Sequence, residues 1–105
     1  MDVPEIDVDE LARRREAGEA VLDVRNPDEY EEVHVPGATL IPLGELVERV
    51  DEVPTDGPLP IICRSGGRSL QAAEFLRARG IDAMNVAGGT LAWVDAGFPV
   101  EDGPA

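Results

Sequence analysis

Short apolar runs alternate with amphipathic stretches along the whole 105-residue chain, and this alternation points to an α/β arrangement. The apolar runs read as strands at Glu5-Ile6, Val21–Val24, Thr39–Ile41, Leu59–Ile62 and Ala83–Val86. Leu59-Pro60-Ile61-Ile62 is the most apolar of them and is expected at the centre of the sheet. Between the runs lie helix signals. Asp7-Val8-Asp9-Glu10 reads as a capping box opening a helix to about Ala17, closed by Gly18. Asn26 precedes Pro27 and the acids Asp28 and Glu29, the order expected at a helix start. Leu43, Leu46, Val47 and Val50 have helical spacing. A helix is expected to begin at Ser69, with Leu70, Ala73, Phe75, Leu76 and Ala78 as its apolar face, and to end at Gly80. A last one follows Gly88-Gly89 at about Leu91–Ala96, with Trp93 in the core.

Length and composition bound the answer. With 43% apolar residues the chain can bury one core, so residues 1–105 are expected to form a single domain. Its core would run from about residue 6 to 100, ahead of a short acidic tail. No run of eighteen apolar residues is present, and the N-terminus is acidic, so neither a membrane span nor a secretory leader is expected; the cytoplasm is the default location. Twenty-two acids against nine bases, all arginine, give a net charge of −13, which disfavours nucleic acid and anionic membranes as partners. GC-rich coding and adaptation to a salty cytoplasm both fit this composition. Cys63 is the only cysteine, so no internal disulfide can form, and Cys63 with the single His34 makes a poor metal site. No metal or cofactor is expected.

The remaining question is what Cys63 does. It ends the central apolar run and is followed by Arg64-Ser65-Gly66-Gly67-Arg68, a glycine-bearing loop leading into a helix. Inward-turned backbone N–H groups and a helix N-terminus attract anions at such a place, and the glycines permit the dihedrals required. No acid occurs from Gly57 to Ala73, where the average composition would place three or four. Arg64 and Arg68 add a locally cationic setting, and together with the loop N–H groups and the helix N-terminus they are expected to lower the thiol pKa from about 8.5. A fall of roughly two units corresponds to about 2.7 kcal/mol in favour of thiolate. An inert buried cysteine at a strand end is the bland alternative, which leaves the two arginines unexplained.

Cys63-Arg64-Ser65-Gly66-Gly67-Arg68-Ser69 resembles the active-site loop of rhodanese-family sulfurtransferases. Two further blocks carry the resemblance. Leu22-Asp23-Val24-Arg25, Glu29-Tyr30, His34-Val35-Pro36-Gly37-Ala38 and Ile41-Pro42-Leu43 are similar to the family's N-terminal pattern, and Val86-Ala87-Gly88-Gly89, Ala92-Trp93 and Ala96-Gly97 to its C-terminal one. The resemblance implies a rhodanese-like α/β fold, about five mostly parallel strands with helices on both faces. It further implies that Cys63 takes sulfur from a small anionic donor such as thiosulfate and passes it, as a persulfide, to cyanide, a cellular thiol or a sulfur-accepting protein. Arg64, Ser65, Gly66, Gly67 and Arg68 would bind substrate, with Ser69 as helix cap. Asp23, Arg25, Glu29 and His34 would support the structure. Arg64 matches thiosulfate-using relatives, whereas mercaptopyruvate-using ones typically have glycine there; Ser65 departs from the lysine of the two-domain thiosulfate enzymes, which leaves the donor open. Val33 stands where the family usually has glycine.

Two rival readings fit these residues less well. Cysteine phosphatase loops place five residues between cysteine and arginine, but only four separate Cys63 from Arg68, and disulfide-forming arsenate reductases need further cysteines. A non-catalytic or redox-regulated module of the same family is the other, and the retained cysteine argues against the first form of it.

Overall fold

The computed structural model describes residues 2–105. Five parallel strands form one sheet in the order β1-β5-β4-β2-β3: β1 (Glu5–Ile6), β2 (Leu22–Asp23), β3 (Thr39–Leu40), β4 (Leu59–Ile62) and β5 (Ala83–Val86). Leu59–Ile62 is central, as its apolarity predicts, and all four of its residues are buried. Pro60 is tolerated there because pairing with β2 begins only at the next residue, where Ile61 lies opposite Leu22.

Side-chain alternation along β4 divides the core. Leu59, Ile61 and Cys63 face one layer, built with Ala72, Ala73 and Leu76 of α3 (Gly67–Ala78). Ile62 faces the other, which holds Leu11 of α1 (Val8–Glu16), Tyr30 of α2 (Pro27–Glu32) and Trp93 of α4 (Gly89–Asp95). Helices therefore cover both faces, as parallel strands require.

Several helix boundaries follow their sequence signals. Asp7 caps α1 by accepting from the Glu10 N–H at 2.8 Å. The reciprocal half of the box is missing, because Glu10 turns its carboxylate to Arg13 and Arg14. The stretch from Leu43 to Val50 departs from expectation. It makes two short 3-10 turns, Leu43–Glu45 and Val50–Glu52, and Val47 is exposed. Apolar spacing over so few residues cannot sustain a helix when only Leu46 finds a fully buried place. Leu70, expected on the apolar face of α3, is also partly exposed, and the face is carried by Ala72, Ala73 and Leu76. No helix among the described residues is long and apolar enough to cross a membrane.

Candidate active site

Cys63 follows the last residue of β4, so the thiol sits at the carboxyl edge of the sheet, where open α/β sheets bind ligands. The loop turns sharply at Gly66, whose φ of +117° favours glycine, and α3 starts directly after it. This moves the helix start two residues ahead of expectation. Ser69 is therefore not the cap but an interior residue of the first turn, fully buried, with its hydroxyl facing the loop. Gly66 occupies the cap position in its place.

The loop is fixed from below by α4. The Cys63 carbonyl accepts from the Thr90 N–H at 2.8 Å and the Thr90 hydroxyl at 3.0 Å, and the Arg64 carbonyl accepts from the Leu91 N–H at 3.1 Å. The approach is too close for a side chain at Gly89. A β-carbon there would lie 2.5 Å from the Cys63 carbonyl oxygen. Gly88-Gly89 is visible in the sequence as a turn, but its role in seating the loop belongs to the tertiary fold.

Cys63 is buried, with 1% of the residue exposed. Its sulfur accepts from the Gly66 N–H at 3.1 Å and lies 3.3 Å from the Ser69 hydroxyl. Burial pushes the thiol pKa up, yet the Ser69 hydroxyl and the backbone N–H groups of Ser69, Gly66 and Ser65 outweigh it and hold the value below the ordinary thiol range. The direction and the loop N–H groups agree with the sequence reading; the Ser69 hydroxyl is the donor it did not anticipate, and no arginine is among the causes of the shift.

Arg68 is bound bidentately by Glu29, at 2.7 and 2.8 Å, so α2 delivers an acid to the loop that is acid-free in sequence. The paired guanidinium holds the Glu29 carboxyl at about 2, against a desolvation effect in the opposite sense. Arg64 is exposed and has no side-chain hydrogen bond or ion pair among the described residues. It lines a groove of about 400 Å³ with Arg25, Glu32, Thr90, Leu91, Val94 and others. A separate cleft, lined by Gly18, Pro58 and Leu59, opens at the amino end of β4, away from the thiol.

Asp23 and Arg25 form a buried ion pair at the end of β2, with Arg25 Nη2 at 2.8 Å from the Asp23 carboxylate. Arg25 also donates to the backbone carbonyls of Glu29 and Val33, which ties α2 to the sheet. Glu29 joins through its carbonyl, while its carboxylate serves Arg68 and the Asn26 N–H. His34 lies in a different arrangement. Its ring stacks on Tyr30 at 3.7 Å, Nδ1 donates to the Tyr30 carbonyl, and its backbone forms an antiparallel bridge with Glu101. Among the described residues no cluster of three or more His, Cys, Asp or Glu could hold a metal ion. Two residues of the sulfur's surroundings escaped the sequence reading: Thr90, and Asn85 on β5, which bonds Ser69. The only signal for Asn85 was a polar residue inside an otherwise apolar strand.

Known proteins agree with this architecture. A rhodanese-related protein from Thermoplasma volcanium superposes with a TM-score of 0.86 at 33% identity, covering 93% of this chain and 97% of that one. A sulfurtransferase from Allochromatium vinosum is 38% identical over 101 residues, 93% of this chain and 94% of its own length. YrkF of Bacillus subtilis, named as a candidate sulfur carrier, is 37% identical over 94 residues, and the chain spans 51% of its length. The rhodanese-like domain profile matches residues 7–96, and with the fold and these relatives it shows that the chain belongs to the rhodanese-like family of sulfurtransferases.

Proposed function

We propose that the chain moves sulfane sulfur from a small anionic donor such as thiosulfate to a thiophilic acceptor through a persulfide on Cys63. The observation that carries this reading is a buried thiol held below its ordinary pKa by a ring of loop donors, Gly66 N–H at 3.1 Å and Ser69 O–H at 3.3 Å. Lowering the thiol pKa raises the share present as thiolate, the nucleophilic form. Its sulfur attacks the outer sulfur of the donor. A Cys63 S–S bond forms, the donor's S–S bond breaks, and sulfite leaves with the electron pair. The acceptor, cyanide or a thiolate, then attacks the outer sulfur of the persulfide and returns Cys63 as thiolate.

Loop N–H groups that stabilise the thiolate are equally placed to stabilise the persulfide anion, which is catalysis by preorganised dipoles. Arg64, exposed at the groove, is the residue for the donor's charge. Arg68 contributes less, since Glu29 already neutralises it. With one cysteine in the sequence, the persulfide leaves only to an outside acceptor, and a reducing cytoplasm supplies such thiols. The test is intact mass after brief thiosulfate treatment and desalting. A gain of one sulfur atom, removed by cyanide and absent in Cys63→Ser, is expected. No gain with thiosulfate or any other sulfur donor would instead favour a redox or interaction module.

A further inference from the structure

The Ser69 hydroxyl has one proton and three acceptors. Asn85 Oδ1 is at 2.5 Å, the Gly66 carbonyl at 3.2 Å and Cys63 Sγ at 3.3 Å. Ser69, Asn85 and Cys63 are all buried, so no water-exposed surface relaxes the competition. The orientation of the Asn85 amide is set from outside the core. Asn85 and Glu5 are register partners on β5 and β1, and Asn85 Nδ2 donates to the exposed Glu5 carboxylate at 3.1 Å. A carboxylate only accepts, so it keeps the amide nitrogen outward and turns the amide oxygen to Ser69.

We propose that Asn85 is a positioning residue: anchored by Glu5, it draws the Ser69 proton away from Cys63 and so limits how much thiolate the loop carries before a donor arrives. While the proton lies towards Asn85, the Ser69 oxygen faces the sulfur with a lone pair and favours the S–H form. When the thiol ionises, the hydroxyl turns and donates to sulfur, and the Asn85 oxygen loses its donor. That second step opposes ionisation. The other charges about the thiol are Arg64 on the loop and the internally neutral pairs Arg68–Glu29 and Arg25–Asp23. None of them bonds Ser69 or Asn85 among the described residues.

The proposal takes Cys63 as the sulfur-transferring thiol, but its test reads the thiol directly. The pH dependence of Cys63 alkylation by iodoacetamide is measured in the full chain. Asn85→Leu, which fills the space without contesting the proton, is expected to lower the alkylation midpoint by about half to one pH unit. Glu5→Ala is expected to shift it the same way by less. Ser69→Ala is expected to raise it, and adding Asn85→Leu to Ser69→Ala to change nothing further. An unmoved or raised midpoint in folded Asn85→Leu overturns the proposal. Should that variant fail to fold, Glu5→Ala decides alone, on an exposed residue. Sulfur gain from thiosulfate, measured on the same samples, separates a failure of this proposal from a failure of sulfur transfer itself.

Discussion

Glu29 links two parts of the chain that are far apart in sequence, and its ionisation shows what the link contributes. Its carboxyl titrates near 4.5 in an open chain and is held at about 2 by the Arg68 N–H donors. A depressed acid stabilises the fold above its unfolded pKa, and the contribution is lost as pH falls from about 4.5 through about 2. The pair is partly exposed, so about 1 kcal/mol is a fair magnitude after screening. The difference in urea midpoint between pH 7 and pH 2.5 should therefore be smaller in Glu29→Gln than in the parent. Equal pH dependence in the two proteins would mean the pair contributes nothing to folding. Local sequence could not show this bond, since the partners stand 39 residues apart. An acid-free stretch in the sequence is not an acid-free place in space, and of the two arginine charges expected at the thiol, that of Arg68 is for that reason paired with Glu29.

At the scale of elements, legibility followed the strength of the local signal. Strands were readable because buried parallel strands must be continuously apolar, as at Leu59–Ile62. Helices with a capping side chain or a proline at the first position, α1 and α2, began where the sequence placed them. Those opened by glycine did not. Gly66 and Gly88 cap α3 and α4 through their backbone conformation, with φ of +117° and +78°, and a glycine announces no particular residue as the helix start. Two other glycines at positive φ, Gly89 and Gly97, differ in what surrounds them. Gly89→Ala forces a β-carbon against the Cys63 and Arg64 backbone, which has no side chain to swing away, and should cost about 2–4 kcal/mol in urea unfolding. Gly97→Ala, also at positive φ but in open space, should cost only about 1–2 kcal/mol. Similar losses in both would show that backbone strain, not the contact with the active loop, accounts for Gly89.

Over the whole molecule, 22 acids and 9 arginines leave a charge of −13 on a body with a Cα radius of gyration of 12.2 Å. Crowded like charge destabilises the compact state, and salt screens it. Raising NaCl from 10 mM to 0.5 M should lift the melting temperature at pH 7, even though the surface pairs of Arg13, Arg14 and Arg49 weaken. A fall would show that those pairs outweigh the net repulsion. Strand order has a different consequence, in time. β1 is the first strand made and joins the sheet beside β5, the last. The clamps on the active loop, Asn85, Thr90 and Leu91, likewise follow Cys63 in the chain by 22 to 28 residues. During synthesis the cysteine therefore leaves the ribosome uncovered, with neither its hydroxyl relay nor its floor in place. Contacts of such long range form late in folding. Until they do, nothing holds the active loop against the body of the protein, and the newborn chain carries an accessible cysteine.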